Sequence, residues 1–96
     1  MLKVDKDEAR KIAEKDLEFY RGMSYEDISA KIGEQETFER ISERGEPYQI
    51  EFDFFYDNHT SGNIRVAGIV SYSGWTDFFP VSNDFIIGPD GKFVGE

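Results

Sequence analysis

The stretch at residues 48–57 constrains the fold more than any other part of the sequence. Its letters, YQIEFDFFYD, alternate large apolar side chains with polar ones, and Phe55 alone breaks the alternation. Successive side chains of a strand point to opposite faces of the sheet, so this pattern predicts a strand with one buried face and one wet face. Such a strand needs neighbouring strands and a second layer over its apolar face.

Further strand-like segments lie on both sides of this stretch. Residues 64–72, IRVAGIVSY, alternate in the same way, and Gly68 within them predicts a bulge. Residues 73–81, SGWTDFFPV, predict another strand, and NDFIIGPDGKFV closes the chain with a Pro-Asp-Gly turn. The segment 34–46 is compatible with a helix or a strand, and we expect a first strand at 36–43.

Two helices are predicted ahead of the strands. Asp5 is a candidate N-cap with Glu8 three positions later, and Gly22 ends the helix. The apolar positions between them recur at helical spacing, and they are Ala9, Ile12, Ala13, Leu17, Phe19 and Tyr20. Ser24 begins a short second helix, and Gly33 is its candidate C-cap.

Helices followed by an antiparallel meander predict a single α+β domain over residues 1–96, in which both helices pack on a curved antiparallel sheet of about four strands. A helix of about 16 residues covers most of one sheet face, yet apolar side chains remain on the other. We expect that face to bind another protein, most simply a second copy, in a non-enzymatic role. The interface candidates are Phe55, Ile69, Trp75 and Phe79. A sheet that curls over these rings, and a small-molecule pocket between sheet and helix, stay open as alternatives.

The charge argues against nucleic acid and anionic membranes as partners. Twenty acidic residues oppose eleven basic ones, for a formal net charge of −9, and only Arg65 and Lys92 are basic from Tyr48 onward. Nucleic-acid binders gain most of their affinity from Lys and Arg contacts to phosphates, which this half cannot supply. The acidic balance is explained by solubility or by attraction to a basic partner.

No constellation of residues indicates catalysis, a cofactor or a metal. The chain has no cysteine, which excludes thiolate catalysis and cysteine-based metal sites. His59, the one histidine, lies in the polar turn DNHTSGN, and that turn lacks the glutamate that would complete a calcium loop. The opening MLKVDKDEARK has no apolar signal region and no apolar run is long enough to span a membrane, so we expect a cytoplasmic protein.

Three segments resemble small bacterial domains built from a helix and four strands: DKDEARKIAEKDLEF, ERISERGEPYQIEFDFFYD and DFIIGPDGKFVGE. The EARKIAE helix and the Y-x-I-E strand are similar to PepSY-like domains. The FFY strand and the closing segment are similar to a family of bacterial immunity proteins, although the Gly-Trp that precedes that strand in the family is missing. Both resemblances imply a cystatin-like arrangement, and the second implies an acidic inhibitor of a basic toxin.

The nuclear-transport-factor-like superfamily shares this general architecture and includes small-molecule binders and enzymes. Its pocket residues are not recognisable in this chain. No functional residue can be transferred from any of the three groups.

Overall fold

The computed structural model describes residues 6–41, 45, 47–58, 60–72 and 81–96. Its elements in chain order are α1 (Lys6–Arg21), α2 (Tyr25–Ser29), β1 (Gln35–Ile41), β2 (Pro47–Asn58), β3 (Asn63–Tyr72) and β4 (Val81–Ile87). The four described strands form one antiparallel sheet in the order β1-β2-β3-β4. The predicted α+β class, with helices first and a meander after, is confirmed.

Helix α1 buries one stripe of its surface against the sheet. The buried side chains lie three or four residues apart, and they are Ala9, Ala13, Leu17 and Tyr20. Phe19 does not belong to this stripe, because it lies about 100° around the helix axis from Tyr20 and is 67% exposed. Its assignment to the buried face from the sequence was wrong.

The short helix α2 begins where its cap was predicted but ends earlier. The Ser24 hydroxyl accepts a hydrogen bond from the Asp27 amide at 3.1 Å, which satisfies a free donor of the first turn. The helix ends at Ser29, and a turn carries the chain to Gly33, whose φ of +84° favours glycine. The Tyr25 hydroxyl donates to the Gly62 carbonyl at 2.6 Å and ties α2 to the β2–β3 turn.

The described part of the ambiguous segment contains a strand, as preferred from the sequence, since β1 (Gln35–Ile41) pairs with β2 along its whole length. Strand β2 keeps the alternation that its sequence predicts. Its buried side chains are Tyr48, Ile50, Phe52 and Phe54. We call the sheet face that carries them the inner face, because the Tyr20 ring of α1 packs on Phe52 and Phe54 at 4.7 and 5.3 Å between centroids. The opposite face is the outer face.

Gly68 is not a bulge. It pairs in register with Phe52 in the middle of the β2–β3 ladder, and the ladder shifts only between Tyr56 and Asn58. The glycine is needed for space, because a Cβ at this position would lie 2.8 Å from Cε1 of Phe52. The Phe52 ring therefore occupies the gap that the missing side chain leaves beneath Leu17 of α1.

The chain end folds back on β4 through the predicted turn. The Gly88 amide donates to the Lys92 carbonyl at 2.9 Å, and Phe93 then forms a bridge with Ile87. Arg21 at the end of α1 holds the final residue through two 2.8 Å hydrogen bonds to Glu96. The strand predicted at 73–81, with Trp75 and Phe79, lies outside the described residues except for Val81.

Helix α1 lies to one side of the inner face. It packs over β3 and β4, and the Tyr20 ring extends its cover as far as β2. The inner side of β1, with Glu36 and Phe38, is therefore left beside the helix and not beneath it. This lateral offset opens a groove along β1.

Candidate functional site

The first candidate site is the outer face of the sheet, where sequence analysis placed the interface. Phe55 lies opposite Arg65, and Ile86 lies opposite Arg65 on the other side, so one guanidinium stands between two apolar side chains. Phe55 is 43% exposed. The Val94 amide donates to the Ile86 carbonyl, which brings a further exposed apolar residue to this end of the face.

Ile69, the second predicted interface residue, lies on the same face but not beside Phe55. Its partners across the strands are Glu51 and Ser82. Ile69 is four residues along β3 from the partner of Phe55, a separation of about 13 Å. The row between them carries Asp53 and Asp84, so the described part of this face alternates apolar and acidic patches. Trp75 and Phe79 lie outside the described residues.

Arg65 ties three strands together on this face. Its Nη2 lies 2.7 Å from Oδ1 of Asp57, and its Nη1 donates to Asp84 on β4. The two carboxylates raise the pKa of the Arg65 guanidinium, so it stays fully charged. These charge-assisted contacts cross-link β2, β3 and β4 at this end of the face.

The outer face is strongly acidic. Across the described strands it carries one guanidinium, that of Arg65, and five carboxylates, those of Glu39, Glu51, Asp53, Asp57 and Asp84. Arg65 engages two of the five. Within the described part of the chain, no ion pair joins a cation to the other three. This face can therefore attract cationic groups and pack apolar ones between them.

The second candidate site is the groove between α1 and β1. Sequence analysis left a small-molecule pocket between sheet and helix open as an alternative but named none of its residues. Its volume is about 460 Å³, within the range of small-ligand pockets. It is lined by Asp16, Phe19, Tyr20, Met23, Lys31, Glu36, Phe38, Arg40 and Phe52. The lining residues come from α1, the turn between α1 and α2, the segment after α2, β1 and β2, and the lateral offset of the helix brings them together.

A chain of three polar side chains lies at one end of the groove. The Tyr20 hydroxyl donates to Oε1 of Glu36 at 2.5 Å, and Nζ of Lys31 lies 2.8 Å from Oε2. The hydrogen bond from Lys31, reinforced by that from Tyr20, lowers the pKa of Glu36. Burial, together with the bond to Glu36, raises the pKa of the Tyr20 phenol.

These shifts hold each group in its ordinary state at neutral pH. Glu36 stays ionised, and Tyr20 and Lys31 stay protonated, since the bond to Glu36 also raises the pKa of Lys31. A general acid or base works best with a pKa close to the working pH. The arrangement is therefore suited to fixing the shape of the groove and hydrogen-bonding a ligand, and not to proton transfer.

The rest of the groove is partly open, and it combines aromatic side chains with an ion pair between Nε of Arg40 and Oδ2 of Asp16 at 3.9 Å. Phe19 stands edge-on to Tyr20 at 5.3 Å between ring centroids, and Met23 packs against the core nearby. On β1 the Arg40 guanidinium lies 4.9 Å above the Phe38 ring. Phe19 was the one lining residue that the sequence singled out as apolar on α1 and that the structure leaves exposed, and beside Phe38 and Met23 it forms part of a contiguous apolar surface.

Two further observations limit the chemistry of the described residues. They hold no group of three or more His, Cys, Asp or Glu side chains that could bind a metal ion. None of their helices is long and apolar enough to cross a membrane. His59 lies outside the residues that the structure describes.

Comparisons with known proteins add no relative. No family model matches the chain, and no curated protein or solved structure matches it with significant similarity. The fold and the two candidate sites therefore define the class of this protein only as an α+β domain with an acidic sheet face and a groove beside its first strand.

Proposed function

We propose that this protein is a non-enzymatic binding domain that docks a basic protein on the outer face of its sheet. The observation that carries the proposal is the charge of that face, with five carboxylates against one guanidinium over the described strands. Phe55, Ile69 and Ile86 lie between the charges and supply apolar contact area. Carboxylates select and steer a cationic partner, while apolar side chains that lose water contribute affinity.

A basic partner fits this face better than a second copy of the chain does. Two outer faces brought together would oppose their own carboxylates, and such like-charge contacts cost several kcal/mol. The preference agrees with the immunity-type inhibitor of a basic toxin that the resemblance of the FFY strand implies. The helix on a four-stranded antiparallel sheet fits the cystatin-like arrangement of that group, and the lack of cysteine is compatible with a cytoplasmic location.

Calorimetric titration with an amphipathic peptide of alternating lysine and leucine tests this proposal. The double variant Glu51→Gln, Asp53→Asn removes two charges from the outer face, and Glu18→Gln, Glu26→Gln removes two from exposed helix positions as a matched control. At about 0.15 M salt we expect the first pair to weaken binding several-fold and the second to change it less than twofold. Equal losses for both pairs would mean that the peptide senses only net charge.

A second function is favoured by the groove beside β1. A volume of about 460 Å³ with aromatic walls and a Tyr20–Glu36–Lys31 chain suits a small aromatic molecule with one hydrogen-bonding group. The neutral dye Nile red is a suitable probe. Phe19→Ala should reduce its fluorescence enhancement, while Val94→Ala, at an exposed position outside the groove lining, should leave it unchanged. Equal signals from both variants would show that the dye binds elsewhere.

A further inference from the structure

Strand β1 is an edge strand of the described sheet. It pairs with β2 on one side, and no described residue pairs with its other side. The opposite edge is partly covered, because Phe93 bridges to Ile87 and the Val94 amide donates to the Ile86 carbonyl. An uncovered strand presents unpaired N–H and C=O groups, which makes it a template for another strand.

The sequence of β1 is complementary to itself when it is read in the opposite direction. We propose that two copies of this chain pair antiparallel through β1 about a two-fold axis at Phe38. Phe38 is the middle residue of the seven in Gln35–Ile41, so this register pairs the full strand. It places Glu36 of each copy directly opposite Arg40 of the other, and opposite charges on directly opposed residues stabilise strand pairing. Within one chain Glu36 already accepts from Tyr20 and Lys31, and Nε of Arg40 lies 3.9 Å from Asp16, so the pairs across the axis add to these contacts.

The neighbouring symmetric registers are less favourable than the axis at Phe38. An axis at Glu39 would set that carboxylate against its own copy, and like charges directly opposite each other are destabilising. An axis at Thr37 would also form two opposite-charge pairs, between Arg40 and Glu34, but Glu34 lies outside β1 and only residues 35–39 of each strand would pair. Only the axis at Phe38 combines full pairing with two opposite-charge pairs.

The same axis joins the two grooves. Because it runs perpendicular to the sheet, both α1 helices lie on the same side of a continuous eight-stranded sheet. The Phe38 rings of the two copies then meet on the floor between the helices, and Phe19 of each copy, 67% exposed in one chain, borders the shared trough. The outer faces stay open, so this pairing and the docking of a basic partner are independent.

Cysteine cross-linking tests the register directly, because the chain has no cysteine of its own. Thr37 and Glu39 are exposed on the outer face and oppose each other across the proposed axis. Directly opposite Cβ atoms are about 4.5–5.5 Å apart and diagonal ones about 7–8 Å, whereas a disulfide needs about 3.5–4.5 Å. A mixture of Thr37→Cys and Glu39→Cys chains should therefore form a disulfide-linked heterodimer under mild oxidation, and neither variant should link to itself.

Self-linkage of Thr37→Cys or of Glu39→Cys in preference to the mixed product would overturn the register.

Sedimentation of the unmodified protein provides the second measurement. We expect a concentration-dependent dimer at up to about 1 mM, a range that suits a weak edge interface. Arg40→Glu should weaken it at least tenfold, while Arg10→Glu, the same change on the exposed side of α1, should not.

Circular dichroism should show that the Arg40→Glu and Arg10→Glu variants are both folded. A protein that stays monomeric over the whole concentration range would refute the pairing. So would a dimer that tolerates Arg40→Glu as well as it tolerates Arg10→Glu.

Discussion

The hydroxyl of Tyr20 donates a 2.5 Å hydrogen bond to Glu36, which links the last turn of α1 to the edge strand β1. Tyr20 is buried, and its ring also packs on Phe52 and Phe54 of β2. The Tyr20 side chain thus connects α1 to β1 and β2, the two strands over which the helix itself does not pack. The groove keeps its shape because this contact fixes the distance between its two walls.

Replacement of Tyr20 by phenylalanine should destabilise the fold by about 1.5–3 kcal/mol, since the change removes a hydrogen bond to a charged acceptor and keeps the ring. Tyr25→Phe is the matched control, because its hydroxyl donates to a neutral carbonyl, that of Gly62. That variant should lose only about 0.5–1.5 kcal/mol. Urea unfolding curves measure both values, and a Tyr20→Phe loss no larger than the control would contradict the role assigned to Glu36.

The contribution of Glu36 should depend on pH. Lys31 and Tyr20 lower its pKa in the folded protein below the ordinary value of 4.5. A carboxyl with a lowered folded pKa stabilises the fold above its unfolded pKa, and that stabilisation is lost as the pH falls through the folded value. The stability gap between the wild type and Glu36→Gln should therefore be constant from pH 7 to about 5 and close at lower pH. A gap that stays constant down to pH 3 would contradict the pKa shift.

Gly68→Ala should be destabilising by about 1–3 kcal/mol, because the new methyl group would collide with the Phe52 ring 2.8 Å away. Gly22→Ala is the control, since the nearest atom to a Cβ there is 3.5 Å away. Its unfolding free energy should change by less than about 0.5 kcal/mol. If the clash is the cause, the smaller side chain of Phe52→Leu should make Gly68→Ala less costly in the double variant than in the wild type.

The substitution Arg65→Gln on the outer face should lower the stability of the fold but raise its affinity for the lysine–leucine peptide. Loss of the guanidinium removes the cross-strand contacts to Asp57 and Asp84, which should cost about 1 kcal/mol or less because all three side chains are partly exposed. It also frees two carboxylates for a cationic ligand. The lysine–leucine peptide should therefore bind the less stable variant more tightly, and weaker binding would show that Arg65 itself contacts the peptide.

Much of the fold could be predicted because the strands carry strong local signals. The alternation predicted for β2 is present in the structure as alternating buried and more exposed side chains from Tyr48 to Phe55, and Ser24 caps α2 as expected. Gly68 was misread because a glycine inside a strand signals either a bulge or a close approach, and only the register with Phe52 separates the two. Phe19 was misplaced because helical spacing defines a stripe but not its edges.

A pocket between sheet and helix was an open alternative, but the place and lining of the groove could not be predicted, since they depend on where α1 lies across the sheet. A helix centred on the four strands would cover Phe38 and leave no cavity. The observed helix packs over β3 and β4, and the segment after α2 places Lys31 beside Glu36. No local pattern encodes this lateral position, which results from the packing of Leu17 and Tyr20 into the space above Gly68 and Phe52.

Backbone amide NMR during titration with the lysine–leucine peptide tests the central claim most directly. Docking on the outer face predicts that the largest chemical-shift changes cluster around Glu51, Asp53, Phe55, Ile69 and Asp84. The amides of α1 and of the groove should change little. Chemical-shift changes centred on Phe19, Met23 and Phe38, with the outer-face residues unaffected, would contradict the proposal that the acidic sheet face is the docking surface.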